Sequence, residues 1–152
     1  MLDELLVIQD LHTYFSTKEG IVKAVNGVSL SLNKDSVLGL VGESGSGKTV
    51  TALSILQLVS FPGRIVNGSI RYNDTELLNL DAEQMRRLRG NEISLIFQDA
   101  PAALNPVIPI GHQVEEIMLE HSEMGSRQAR STTAGSGARS PSGVLQPDQL
   151  SP

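Results

Sequence analysis

Residues Gly42-Glu43-Ser44-Gly45-Ser46-Gly47-Lys48-Thr49 follow the pattern G-x-x-x-x-G-K-[ST]. The spacing suits one kind of chemistry, the gripping of a phosphate chain. Glycines let a backbone curl around an anion where a Cβ would collide. Successive N–H groups then point inward as a nest, and a following helix adds the positive end of its dipole. Lys48 carries an ammonium on a flexible stem that can reach β- and γ-phosphates, and the Thr49 hydroxyl can ligate Mg²⁺. A Gly/Ser-rich loop can match this pattern by chance, so its flanks decide the reading.

The flanks fit. Val37-Leu38-Gly39-Leu40-Val41 is a short apolar run that suits a buried strand, and Val50 to Leu58 suits a helix with one apolar face. The loop therefore lies between a strand and a helix N-terminus, where the mechanism needs it. Upstream, Leu5–Phe15 and Val22–Leu32 read as strands joined by a turn at Lys18-Glu19-Gly20. Downstream, Phe61-Pro62-Gly63 breaks the helix, Gly68–Tyr72 is a short strand and Asn73-Asp74 a turn. Asp81 caps a helix that Gly90 ends, with Gln84 at the capping-box position. Ile93–Phe97 reads as a buried strand, Gln98–Pro109 as a proline-broken loop and Gly111–His121 as a helix.

The bulk numbers narrow the class. The 152 residues suffice for about one domain. The net charge of −5 gives no general reason to bind nucleic acid, and the absence of cysteine excludes disulfides and thiolate metal sites. No apolar run approaches the roughly 18 residues of a membrane span, and Met1-Leu2-Asp3-Glu4 lacks a signal-peptide pattern. Near residue 125 the composition shifts to Ser, Gly, Thr and Pro. Residues 1–125 are expected to form the domain and 126–152 a disordered, non-native tail.

A second feature adds specificity. Ser94-Leu95-Ile96-Phe97-Gln98-Asp99 ends an apolar run in a neutral amide, which can bind Mg²⁺ or orient a water, and Leu104-Asn105-Pro106 follows. With Ala24-Val25-Asn26-Gly27-Val28-Ser29, Val41–Thr49, Gly68-Ser69-Ile70 and Arg87-Leu88-Arg89-Gly90, these residues carry a resemblance. Over about residues 4 to 130 the chain resembles the N-terminal half of an ABC-transporter ATP-binding subunit of the oligopeptide/dipeptide/nickel importer class. The resemblance implies an α/β P-loop NTPase fold: a RecA-like core with an N-terminal antiparallel β subdomain, here incomplete at its C-terminus. It implies ATP and Mg²⁺ as ligands. Gly42, Ser44, Gly45, Ser46, Gly47, Lys48, Thr49 and Val50 would hold the phosphates, Thr49 and Gln98 the metal, and Phe15, with Tyr14 second, would stack on adenine. Partners would be integral membrane permease subunits, met through the Gln98 loop, and a second ATP-binding subunit. The place would be the cytoplasmic face of the cell membrane. Asp35-Ser36 stands where the family has Gly-Glu, Thr49 where Ser is commoner, and Ala100 lies between Asp99 and Pro101 where Asp-Pro is typical.

The family's signature Leu-Ser-Gly-Gly-Gln, its Walker B strand ending in Asp-Glu and its switch histidine do not occur in these residues. Without a base to position water, phosphoryl transfer loses a main catalytic contribution, so no residue is assigned as catalytic and the chain alone is expected not to hydrolyse ATP. Codons for Gln149-Leu150-Ser151-Pro152, shifted by one base, can spell Asn-Tyr-Pro, and a Tyr-Pro-His stretch commonly precedes the family signature. This motivates the hypothesis of a frameshift near Arg130, which the downstream DNA tests. Bare faces on Val37–Val41 and Ile93–Phe97 would leave the chain marginal or aggregation-prone, with the N-terminal strands best formed.

Other candidates read blandly. His12, His112 and His121 lack metal-ligand spacing and read as surface histidines. Glu115, Glu116, Glu120 and Glu123 form a solvated helix face, with Val114, Ile117 and Met118 on the buried side. Arg86, Arg87 and Arg89 are the one basic cluster. Asn33-Lys34-Asp35 precedes the phosphate loop and has the wrong spacing for a guanine-reading motif. Two alternatives stand beside the transporter subunit: another P-loop NTPase such as a small kinase, and a non-functional remnant with at most nucleotide binding.

Overall fold

The computed structural model describes residues 3–98, 104–121, 128–129 and 131–132. The chain forms two units, residues 1–93 and 94–152.

The first unit is built on an antiparallel sheet. Strands β1 (Glu4–Thr17) and β2 (Gly20–Asn33) pair along their whole length, β3 (Gly63–Tyr72) pairs with the other edge of β1, and β4 (Thr75–Glu76) follows it, giving the order β2-β1-β3-β4. The expected hairpin is present. β3 begins earlier than the expected Gly68, because β1 is long enough to pair with it from Phe15↔Gly63 to Leu6↔Tyr72. Its turn into β4 places Asn73 and Asp74 at φ 43 and 65, the positive pair that a tight hairpin turn requires. Midway along β1 the register shifts against both neighbours around Asp10, itself at φ 46. The Asp10 carboxylate there accepts hydrogen bonds from Asn67 (2.8 Å) and His12 (2.9 Å). Opposite it Gly68, at φ 114, lies so close to β1 that a Cβ would sit 2.7 Å from the Asp10 carbonyl oxygen.

One face of the sheet carries the core: Ile8, Leu11, Val25 and Ile70 from the strands, closed by Leu77 of a 3-10 turn (Leu77–Asn79) and Met85 of helix α2 (Ala82–Leu88). Each such buried side chain contributes about 1.5–3 kcal/mol relative to exposure. The α2 capping box forms as expected: the Gln84 amide donates to Asp81 Oδ1 (2.8 Å) and the Asp81 amide to Gln84 Oε1 (3.0 Å). Helix α1 (Lys48–Ile55) packs on β1 and β2.

Two expected strands do not form. Val37–Val41 has no strand conformation, and Val37 and Val41 are 99% and 98% exposed. Ile93 makes an isolated parallel bridge to Arg89, and the residues after it up to Gln98 have no strand conformation, Ile96 being 91% exposed. The physical reason is the same for both. A parallel strand is held by neighbours and buried on both faces, and among the described residues no strand pairs with either run.

The second unit contains helix α3 (Ile110–His121). Val114 and Met118 are partly buried, but Ile117 is 60% exposed, against the expectation of a common buried side. Gln128, Ala129, Ser131 and Thr132 take helical backbone. The remaining residues of the 126–152 stretch, with Asp99 to Ala103, lie outside the described residues.

Candidate functional site

The phosphate loop is fixed at its C-terminal end. Gly47 is the N-cap of α1, with φ 91, and a Cβ there would lie 2.2 Å from the Ala24 carbonyl oxygen of β2. The loop thus touches the sheet through a position where only hydrogen fits. Gly45 also has a positive φ, 81, yet a Cβ would meet nothing within 4 Å. Gly42 faces inward: a Cβ would lie 2.7 Å from Ser46 Oγ and 3.9 Å from Lys48 Nζ. The concavity is therefore one that a side chain on Gly42 would fill.

Lys48 closes the loop on itself. Its ammonium donates to the carbonyls of Gly42 (2.7 Å) and Glu43 (2.7 Å) and to Ser46 Oγ (3.1 Å). Ser44 and Thr49 are exposed, and the Thr49 hydroxyl has no hydrogen-bond partner among the described residues. The first turn of α1 has N–H groups with no partner inside the helix. Val50 packs against the core and anchors that turn. The chain thus supplies a cation held on two loop carbonyls, the unpaired amides of a helix's first turn and an exposed hydroxyl, groups whose chemistry fits a phosphate chain with a hard cation.

Contacts that the sequence reading missed set where α1 lies. The buried hydroxyls of Thr13 on β1 and Ser54 on α1 are 2.8 Å apart, and Ser54 also donates to the Val50 carbonyl. The helix ends at Ile55, short of the expected Leu58. Gln57 turns left-handed at φ 51, its amide bonds the Ser54 carbonyl, and the Leu58 amide bonds that of Leu53. These are the two bonds of a Schellman ending with glutamine where glycine is usual. The Gln57 side chain bonds the Leu77 carbonyl, and Arg89 donates to the carbonyls of Leu56 (2.8 Å) and Gln57 (3.3 Å). The basic cluster is thus spent on its own chain. Arg86 and Arg87 bind Glu83 and hold its carboxyl down at about 2.

The two aromatic candidates face opposite sides of β1. Phe15 shares the α1 side with Thr13 and is partly buried, its ring and the Val59 side chain both lying over Gly63. Tyr14 faces the other way, its hydroxyl bonded to Asn26 (2.9 Å) and its ring edge-on to His12. His12 is accordingly held in a network and not a plain surface histidine, and no group of metal-ligating side chains is found among the described residues.

Gln98 belongs to the second unit, where it is exposed. The Leu104-Asn105-Pro106 segment is clasped there by Gln113 of α3. Its Oε1 accepts from the Asn105 amide (3.0 Å), and its Nε2 donates to the carbonyls of Asn105 (2.9 Å) and Ile108 (2.8 Å).

The family profile described as ABC transporter matches residues 25–150 of the chain. The chain belongs to the ABC transporter family. It is 42% identical over 130 residues to the oligopeptide transport ATP-binding protein AppD of Bacillus subtilis, covering 85% of this chain and 40% of that protein. It is 43% identical over 127 residues to OppD of Escherichia coli, also an oligopeptide transport ATP-binding protein, covering 84% and 37%. This ABC transporter chain therefore spans about two-fifths of the length of the curated relatives it matches. Among solved structures it is similar to the ATP-binding cassette MJ0796, described as a dimeric post-hydrolysis state bound to ADP and Pi. The TM-score is 0.73 at 20% identity, over 86% of this chain and 55% of that one, a likeness of fold. No helix among the described residues is long and apolar enough to cross a membrane.

Proposed function

We propose that this chain is the ATP-binding part of an importer for peptides or nickel. Its phosphate loop holds Mg-ATP: Lys48 and the backbone from Ser44 to Val50 take the phosphates, Thr49 and Gln98 take Mg²⁺, and Phe15 stacks on adenine. When bound, Mg²⁺ neutralises phosphate charge and fixes its orientation. The Gln98 loop meets permease subunits at the cytoplasmic face of the membrane, and a second ATP-binding subunit pairs with this one. The peptide-transport names of the relatives support the substrate class.

One observation carries the reading. The Lys48 ammonium sits inside the loop on the Gly42 and Glu43 carbonyls, a position from which it can turn onto a phosphate oxygen. Charged hydrogen bonds contribute about 1.5–3 kcal/mol each. Lys48→Ala is therefore expected to weaken Mg-ATP binding about 10- to 150-fold in calorimetric titration. Unchanged affinity in a folded variant would sink the assignment. The remnant reading concerns turnover only. These residues contain no Walker B strand, and a phosphate-release assay on the chain is expected to show none.

A further inference from the structure

Gly63 opens β3 directly across from Phe15 of β1. A Cβ on Gly63 would lie 2.5 Å from Phe15 Cε1, 2.8 Å from Cζ and 2.7 Å from Val59 Cγ1. Gly63 is not among the glycines with positive φ, so space and not backbone angle requires glycine here. An aromatic ring laid over a cross-strand glycine is held by the backbone beneath it. That backbone is itself fixed. The Gly63 amide donates to the Ser60 carbonyl (2.9 Å), and the Ser16 amide, next to Phe15, donates to the Pro62 carbonyl (3.3 Å). The ring is only partly buried, which leaves some of it open to solvent.

We infer that Gly63 is a positioning residue for the nucleobase. With Val59 it forms a seat that sets the tilt of the Phe15 ring, and through that ring the grip on the purine of ATP. The inference rests on the reading of Phe15 as the stacking residue. Among the described residues the atoms nearest to a Cβ on Gly63 belong to Phe15 and Val59 and none to the phosphate loop, so the seat is expected to act on the base and not on the phosphates.

The test compares Mg-ATP with magnesium tripolyphosphate, which has the phosphates and no base, on the full chain. Gly63→Ala is expected to weaken Mg-ATP about three- to tenfold and leave tripolyphosphate unchanged. Val59→Ala, which adds no atoms and loosens the seat, should move the ratio of the two affinities the same way. In a Phe15→Ala background, Gly63→Ala should have no further effect. If Phe15→Ala leaves the ratio unchanged, the stacking reading falls and the inference with it. If Phe15→Ala lowers the ratio but neither Gly63→Ala nor Val59→Ala does, the seat alone is overturned. Equal loss of both ligands in Gly63→Ala, with Val59→Ala silent, also overturns it.

Discussion

Gly45 and Gly47 lie in one loop, share a left-handed backbone, and differ in what surrounds them. Alanine at a left-handed position costs about 1–2 kcal/mol through its own backbone contacts. At Gly45 that is the whole effect, since the added carbon meets open space. At Gly47 the carbon would lie 2.2 Å from the carbonyl oxygen of Ala24. That oxygen belongs to a paired strand and cannot swing away as a flexible side chain can, so α1 must shift off the sheet. Overpacking of this kind costs about 1–3 kcal/mol. Gly47→Ala is therefore expected to destabilise the chain by about 2–5 kcal/mol, against about 1–2 for Gly45→Ala. Urea unfolding followed by far-ultraviolet circular dichroism measures both against wild type. If the two variants agree within about 0.5 kcal/mol, the close approach of Gly47 to β2 does not constrain the loop and the reasoning fails.

Two further results are expected. Thr13→Val and Ser54→Ala should each cost about 1 kcal/mol, and the double variant should fall short of their sum by about 0.5–1, the coupling expected of one shared hydrogen bond; strict additivity would refute the link between α1 and β1. Glu76 is partly buried, which pushes its carboxyl up. Hydrogen bonds from Ser69, Ile70 and Leu78 and the charge of Arg71 outweigh this and hold it below its ordinary value of 4.5. A depressed folded-state pKa stabilises the fold above the unfolded value and ceases to do so as pH falls through the folded one. Wild type should lose stability on acidification below about pH 4.5, and Glu76→Gln should flatten that part of the profile in urea melts repeated across pH. An unchanged slope would show that the carboxylate contributes nothing there.

Features encoded by neighbours in the chain were readable from the residues. The β1–β2 hairpin, the Asn73-Asp74 turn and the Asp81/Gln84 capping box depend on local chemistry, and all three are present. Val37–Val41 and Ile93–Phe97 have strand-like sequences without strand conformation, because an apolar run specifies a buried strand only where other strands flank it, and periodicity carries no information about those. The end of α1 was missed for a related reason. No glycine marks it, and Gln57 holds its left-handed turn with help from Leu77 and Arg89, distant in sequence. The loop pattern from Gly42 to Thr49 was evident, but the Thr13–Ser54 pair that places its helix and the Gly63 seat under Phe15 involve residues whose types announce nothing until the strands are registered.

The loop's two ends are anchored very differently. Gly47 is wedged on β2 and continues into a helix pinned by Ser54, whereas Gly42 follows a stretch with no ladder to hold it. The Lys48 ammonium is the clasp between them. Amide protons of residues 37–43 should therefore swap with solvent almost at once, while those of Thr51 to Ile55 wait for the sheet to open. A charge that is free to leave its carbonyls is in this chain also the latch that keeps the loop's leading edge in place.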